Sequence, residues 1–315
     1  KMKQGLSFSG NPFFIGKFTV TSLEWIKKHT LTLQRSVFYK DLDVFWAKSD
    51  LEYLLEEITG ITKNKLWSTN LSEDTLKTLE HCVSRLVTGE PMARILGYTY
   101  FNGLKILTGE NVLIPRPDTE ILVEKAFEFL TANVKQNEEI CILDLCTGTA
   151  CISIALAESL RSLGFERFHS TATDISGDAV ELARKNIKLH QLDTFISVEQ
   201  QDLWPEYYET KVHNLVVSNP PYLSDEEFKK SHLGRYEPEL ALASGAEGLD
   251  LIRRMLQEGQ EVLPTKTPML IEHGYKQADQ LFSLSKDFRA WKWIGNYKDL
   301  SERPRVSMFI LEEGV

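Results

Sequence analysis

The stretch ILDLCTGTACISIALA, residues 142–157, decides how the chain folds. An apolar strand runs into Asp144, turns through small residues and enters a helix at about Cys151 without delay. Such a loop sets backbone N–H groups and a helix N-terminus beside whatever binds there. It has no Walker lysine and lacks the full G-x-G-x-x-G spacing, which weakens a phosphate or dinucleotide reading. Outward from it the alternation continues: FHSTATDI gives a second strand, a helix starts at about Gly177, FISVEQQDL gives a third strand and NLVVSNPPY a fourth. Strand–helix alternation implies an α/β fold, a mostly parallel doubly wound sheet. FRAWKWIGNY and RVSMFILEE near the end read as a closing antiparallel hairpin.

Upstream, the period is helical. Leu76, Leu79, Val83 and Leu86 fall on one helix face, with Ser72 as cap, Glu73 and Asp74 in the first turn, and Gly89 with Pro91 as the stop. SDLEYLLEEITG, residues 49–60, predicts another helix with a Ser start and a Gly stop. We expect a small helical domain over 1–96. GYTYFNGLKILTGENVLIPRP, residues 97–117, changes to strand-like segments broken by NG and GEN, a β-hairpin linker before a larger domain over 118–315.

At 315 residues and 42% hydrophobic content the chain is long and apolar enough for both domains. No run approaches the ~18–20 apolar residues of a membrane span. A net charge of −9 argues against sequence-blind capture of a phosphate backbone, so no direct nucleic-acid binding is expected. Cys82, Cys141, Cys146 and Cys151 form neither a disulfide framework nor a CxxC metal knuckle, which suits a reducing compartment. In the first forty residues Lys1, Lys3, Lys17, Lys27, Lys28, Arg35 and Lys40 face one acid, Glu24. That composition reads equally as an organelle transit segment or as a basic arm. Lys1 ahead of Met2 reads as an added residue or as numbering that starts inside a longer precursor.

Three acids stand at successive strand ends: Asp144, Asp174 in ATDIS, and Asp202 in QQDLW. A carboxylate at the position of Asp174 accepts ribose hydroxyls, and Asp202 is placed to receive an adenine amino group, so the set favours a nucleoside pocket. Asn219 ends the next strand at the rim of that pocket, because Pro220 and Pro221 cannot continue a sheet ladder. The Asn219 side-chain carbonyl and the Pro220 backbone carbonyl are two acceptors in a fixed frame for an NH2 group, with Tyr222 available to cover its planar face. An amide or aromatic amine nitrogen is a poor nucleophile; two hydrogen bonds from its N–H groups aim it and offset developing positive charge. The residues alone leave the choice between an amide and an adenine amine open.

SNPPYL with DLCTGTA upstream resembles class I methyltransferases that use S-adenosylmethionine, with a Rossmann-like catalytic domain. More closely, FNGLKILTGENVLIPRPDTEILVE, with GEPMARILG, YEPELALASGAEGLD, IEHGYKQ and DLSERPRV in order, resembles the HemK/PrmC-type release factor glutamine methyltransferases over roughly residues 70–310. The resemblance implies methylation of the glutamine amide in the Gly-Gly-Gln loop of a class I peptide-chain release factor, in support of translation termination. It implies that Asn219, Pro220, Pro221 and Tyr222 hold that amide, with Asn219 also on the cofactor side. It further implies that Cys146, Thr147, Gly148, Thr149 and Ala150 meet the methionine part of the cofactor, Asp174 and Ile175 the ribose, and Asp202 with Leu203 the adenine. Arg116 and Pro117 of IPRP, and Glu237 and Pro238 of YEPEL, fall on the substrate side. By the same resemblance the helical domain docks the release factor, and the enzyme is a monomer. Cys146 and Ala150 stand where the family usually writes glycine, and a Cβ there narrows close backbone approach. Asp118 replaces the family's common glutamate. An adenine-N6 or other nucleic-acid amino methyltransferase, and a non-catalytic relative that only binds a release factor or a nucleoside, are the alternatives. The mitochondrial matrix is favoured as compartment, with bacterial cytoplasm as the alternative.

Overall fold

A computed structural model describes residues 20–62, 64–65, 68–205, 214–231 and 233–312. The chain divides into two compact units, the first ending at Ile95 and the second starting at Leu96. Lys1, Lys3 and Lys17 of the basic N-terminal segment lie outside the described residues.

The first unit is built on α1 (Ser22–Gln34), α2 (Val44–Thr59) and α3 (Glu73–Val87). Thr21 and Glu24 close a capping box at the start of α1. In α3 the Ser72 hydroxyl accepts from the Thr75 amide at 3.2 Å, and Leu79, Cys82, Val83 and Leu86 are buried. The expected Ser start of α2 is wrong: Ser49 lies inside the helix, and the cap is Asp43, whose carboxylate accepts from the Phe45 amide at 2.8 Å. The buried stripe explains the earlier start, because Ala47, Leu51, Leu54 and Leu55 form one face that a helix beginning at Ser49 would truncate. Gly60 ends α2 in the left-handed conformation, as its position predicts. The short helix α4 (Met92–Leu96) leads onward.

The second unit opens with an antiparallel pair, β1 (Tyr98–Phe101) and β2 (Leu104–Leu107), turned through Asn102 and Gly103. Both turn residues have positive φ, 51° and 75°, the twist that a two-residue hairpin requires. Then follow α5 (Glu120–Asn133), β3 (Ile140–Leu145), α6 (Cys151–Ser162), β4 (Phe168–Asp174), α7 (Gly177–Leu189), β5 (Ile196–Gln200) and β6 (Leu215–Ser218). The chain finishes with α8 (Asp225–Lys230), α9 (Asp250–Val262), β7 (Pro268–Glu272), α10 (Ala278–Asp287), β8 (Trp291–Lys298) and β9 (Pro304–Leu311).

Seven strands form one sheet in the order β5-β4-β3-β6-β7-β9-β8, parallel except that β9 runs antiparallel to both neighbours. Side chains alternate between two cores, as strand geometry demands. Ile140, Ile142, Leu215 and Val217 pack with α5, α6 and α7 on one face, while Leu143, Leu145, Val216 and Ile271 pack with α9 and α10 on the other. Beside β3 the order reverses, β4 lying on one side and β6 on the other, so a crevice opens at their carboxyl ends. Asn186 of α7 is fully buried beneath it: Oδ1 accepts from the Leu107 amide at 2.7 Å, and Nδ2 donates to the carbonyls of Leu107 and Thr149 at 3.1 and 3.0 Å. One amide thus ties the hairpin to the loop that follows β3. Among the described residues no helix is long and apolar enough to cross a membrane.

Candidate active site

A cavity of about 390 Å³ occupies that crevice. The loop after β3 supplies Cys146, Thr147, Gly148 and Thr149 to its wall, and β4 ends in it with Asp174, which Ile175 follows. Asp202 and Leu203 lie two and three residues beyond β5, not at its last position, and still reach the cavity. Asn219 and Pro221, just after β6, and Arg116 and Pro238 complete the set that the sequence proposed for this wall.

The loop holds an unusual backbone. Cys146, Gly148 and Ala150 have φ of 58°, 55° and 63°, left-handed values that disfavour a side chain. A glycine at the first or last of these positions would take up this backbone without the strain that Cys146 and Ala150 carry. Ala150 does not line the cavity; it is fully buried in the apolar core, so its methyl strains the backbone without narrowing the site. Cys146 does line the cavity, and burial pushes its thiol up, which keeps it protonated and a poor nucleophile. Strain in the loop is opposed by Asp174, whose Oδ2 accepts from the Gly148 amide and Oδ1 from the Ser176 amide, both at 2.9 Å.

Asp144 behaves differently from the expectation that it meets a ligand. It is 0% exposed, lies within β3 below the cavity, and accepts at Oδ2 from Thr147 Oγ1 and Ser153 Oγ, each at 2.7 Å. Its place among the buried residues Ile142–Leu145 of β3 turns the acid into a brace for the loop above. Burial raises its proton affinity, to a pKa of about 6. A carboxyl whose folded pKa lies above its unfolded value adds most stability below the unfolded pKa and loses it as pH rises through the folded one. Relative to wild type, Asp144→Asn is therefore expected to gain stability steadily from pH 4 to about 7, by on the order of 3 kcal/mol. Urea denaturation of both proteins across that range measures the difference; a pH-independent offset would refute it.

Asn219 stands in the wall shared with a second cavity of about 80 Å³, which Pro220, Tyr222 and Arg116 also line. The Asn219 amide donates from Nδ2 to Thr119 Oγ1 at 3.1 Å, while its Oδ1 is buried without a partner. A buried acceptor left open beside a cavity is a place for an incoming N–H. Pro220 is buried, and Tyr222 is held at both ends: its hydroxyl reaches Glu272 Oε1 at 3.4 Å, and its carbonyl accepts from Gln277 Nε2 at 3.0 Å. Gly248 backs that carbonyl at φ 72°, where a Cβ would stand 2.2 Å from the Tyr222 oxygen. Gly248→Ala is expected to destabilise the fold by roughly 2–5 kcal/mol, from left-handed strain plus overpacking. A urea midpoint equal to that of the wild type would contradict this.

Two of the proposed substrate-side residues stand outside the large cavity. Glu237 is 5% exposed and braces the segment before α5, accepting at Oε1 from the Ile114 amide at 3.0 Å and pairing with the Arg116 guanidinium at Oε2. Pro117 is exposed and faces a separate groove with Asp118 and Asp299. Asp118 instead pairs with Arg305 at 2.9 Å. Asp202 is engaged too, its Oδ1 2.8 Å from Arg254. Thr119, Glu272, Gln277, Asn186 and Arg254 were missed in the sequence. Thr119 directly follows IPRPD, and Glu272 is an acid placed in an apolar strand, MLIEHG, which is the signal that a buried charge has a partner.

Asp174 and Asp202 in the cavity wall, a tight loop of small residues after β3 and an unpartnered Asn219 Oδ1 fit a nucleoside-bearing cofactor beside an NH2 acceptor. Residues 120–235 match the methyltransferase small domain and residues 24–97 the PrmC N-terminal domain. The chain is 32% identical over 271 residues to the release factor glutamine methyltransferase of Haemophilus influenzae, covering 83% of this chain and 91% of that one. It is also 32% identical to the Streptomyces coelicolor protein of the same name, over 85% and 92%. Among solved structures, the hMettl16 catalytic domain in complex with MAT2A 3′UTR hairpin 1 aligns at a TM-score of 0.51 and 13% identity, over 89% of this chain and 94% of that one, a likeness of fold. With a Rossmann-like class I methyltransferase domain behind a helical PrmC N-terminal domain, the chain belongs to the release factor glutamine methyltransferase family.

Proposed function

We propose that this chain transfers a methyl group from S-adenosylmethionine to the side-chain amide of the glutamine in the Gly-Gly-Gln motif of a class I peptide-chain release factor, giving N5-methylglutamine. The observation that carries the reading is the Asn219 Oδ1, buried and unpartnered in the wall between a cofactor-sized cavity and a side-chain-sized one. S-adenosylmethionine, when bound, supplies an electrophilic methyl on its sulfonium. Asp174 and Ile175 hold its ribose end, Asp202 and Leu203 its adenine, and the loop from Cys146 to Thr149 its methionine part. Asn219 Oδ1 and the Pro220 carbonyl accept the two amide N–H groups, and Tyr222 lies against the planar face. Fixing the nitrogen at hydrogen-bond distance converts the transfer into a positioned step and disperses the positive charge that grows on nitrogen. No base of unusual proton affinity is needed, because the methylated amide sheds its extra proton readily. The helical domain docks the release factor, and the enzyme works as a monomer without contacting nucleic acid.

Mass spectrometry of a Gly-Gly-Gln peptide and of an intact class I release factor after incubation with S-adenosylmethionine tests this. One added methyl on glutamine is expected; label that enters only DNA or RNA would replace the reading with an adenine amine substrate. For compartment we favour the mitochondrial matrix, on the seven cations against one acid in the first forty residues. The named relatives come from bacteria, which makes bacterial cytoplasm the competing site. A fluorescent fusion that remains outside mitochondria in a eukaryotic cell would decide against the matrix.

A further inference from the structure

We infer that Gln277 is a positioning residue for the methyl transfer: its buried amide holds the Tyr222 backbone and so sets where the Tyr222 ring meets the substrate amide. The inference rests on the reading that Tyr222 covers the planar face of that amide. Residues 219–222 belong to no strand or helix, and Pro220 and Pro221 have no N–H to give to a neighbouring strand. The Tyr222 hydroxyl reaches Glu272 Oε1 at 3.4 Å, a long bond that fixes the ring only weakly. What holds this residue must hold its backbone.

Gln277 is 7% exposed and directly precedes α10. Its Nε2 donates to the carbonyls of Tyr222, Glu247 and Gly248 at 3.0, 3.1 and 3.4 Å, and its Oε1 accepts from the Gly274 amide at 2.8 Å. The Gln277 backbone N–H returns a bond to the Gly274 carbonyl, also at 2.8 Å, which ties the side chain to the turn it comes from. The partners at the nitrogen end are carbonyls and the partner at the oxygen end is an N–H, so the amide has one satisfied orientation. Rotated by half a turn, it would set its oxygen against those carbonyls and its NH2 against an N–H.

Three segments meet at this side chain: the one after β6, the loop before α9 and the one after β7. β6 and β7 are parallel neighbours, with Ser218 beside Ile271, so the first and third leave the sheet side by side. Glycines let all three close in. A Cβ on Gly248 would stand 2.9 Å from Gln277 Nε2, and one on Gly274 would stand 2.9 Å from Gln277 Oε1 and 3.6 Å from Tyr222 Cδ2. The Tyr222 ring therefore lies against Gly274 while its carbonyl is gripped from the same turn, and the residue lines the cavity of about 80 Å³ with Asn219 and Pro220. Leu223 is pinned separately, its N–H on the Leu242 carbonyl at 2.8 Å and its own carbonyl on the Ser244 amide at 2.9 Å. Loss of the Gln277 amide thus loosens Tyr222 and leaves the chain after it in place. A misplacement of about 1 Å in such a group is enough to cost on the order of 10²-fold in rate.

The test measures kcat and KM for a Gly-Gly-Gln peptide, the calorimetric Kd for S-adenosylmethionine and the urea midpoint in Gln277→Met, Gly274→Ala, Tyr222→Ala and the Gln277→Met/Tyr222→Ala double variant. Gln277→Met keeps the length of the side chain and removes the bonds of its amide. It is expected to lose about 30-fold in kcat/KM, mostly in kcat, with cofactor Kd within about threefold of wild type. Gly274→Ala removes no polar group and pushes the Gln277 oxygen aside; a loss of about fivefold with the same split is expected, and this variant takes the place of the methionine one, alone and in the double variant, should that fail to fold. The bond from Gln277 goes to the Tyr222 carbonyl, which Tyr222→Ala keeps. The urea midpoint should therefore fall equally in both backgrounds, whereas kcat/KM should fall by less than about twofold once the ring is gone. Rate losses that multiply in the double variant mark a merely structural brace and overturn the inference, as do a loss that falls on cofactor Kd and wild-type kinetics in the Gln277→Met variant or its replacement. Wild-type activity in Tyr222→Ala would instead remove the reading on which it rests.

Discussion

Replacing Asn219 with alanine is expected to cut methyl transfer to a Gly-Gly-Gln peptide by about 10²–10³-fold, the usual effect of losing one preorganised polar group at a reacting centre. The residue sits one position beyond β6, where the buried run Leu215–Ser218 ends and two prolines forbid further pairing. Ser218, itself fully buried, fixes the strand end by donating to the Leu145 carbonyl at 2.7 Å. The alanine variant leaves this backbone and the Pro220 carbonyl in place, so substrate loses one of two acceptors rather than the whole frame. Most of the loss should fall in kcat, because the bond matters most when the nitrogen is gaining positive charge. Calorimetric Kd for S-adenosylmethionine should stay within threefold of wild type. Wild-type kcat in this variant would show that Asn219 does not touch the reacting amide.

The α/β architecture was legible because strands β3 and β6 carry apolar runs, FHSTATD of β4 ends in an acid, and helical periods follow β3 and β4 after short loops. The C-terminal hairpin was legible for the same reason of period. The start of α2 was not: SDL offers a plausible cap at Ser49, and only the packing of Ala47 shows that the helix needs the turns before it. At the site, residues on the strand ends and in the loop were legible, since their neighbours in sequence are their neighbours in space. Thr119 and Glu272 were not, because they meet Asn219 and Tyr222 across 100 and 50 residues of chain. Asp144 was misread for a related reason: a carboxylate at a strand end looks the same in sequence whether it faces ligand or props the loop from below. Burial separates the two, and burial depends on helix α6, whose Ser153 closes over the acid.

Asp174 is the residue whose loss should most damage cofactor binding. Its two oxygens already hold the Gly148 and Ser176 amides at 2.9 Å, which joins the loop after β3 to the start of α7. Each oxygen keeps a second lone pair, and these are what a ribose diol would meet. Burial raises the carboxyl's proton affinity, and the backbone N–H groups of Ser176 and Gly148 oppose that rise. Asp174→Ala removes both functions together. The diol loses charge-assisted hydrogen bonds, and the loop loses the tie that opposes its left-handed backbone at Cys146, Gly148 and Ala150. Glycines at the outer two positions would tolerate that release; here the side chains at Cys146 and Ala150 carry a strain of roughly 1–2 kcal/mol each that pulls the loop towards other conformations. The Kd for S-adenosylmethionine is therefore expected to rise about 100-fold or more in calorimetric titration. At saturating cofactor kcat should fall by less than tenfold, since Asn219 and the Pro220 carbonyl lie on separate strand-end backbone. A Kd within threefold of wild type would remove Asp174 from the cofactor wall.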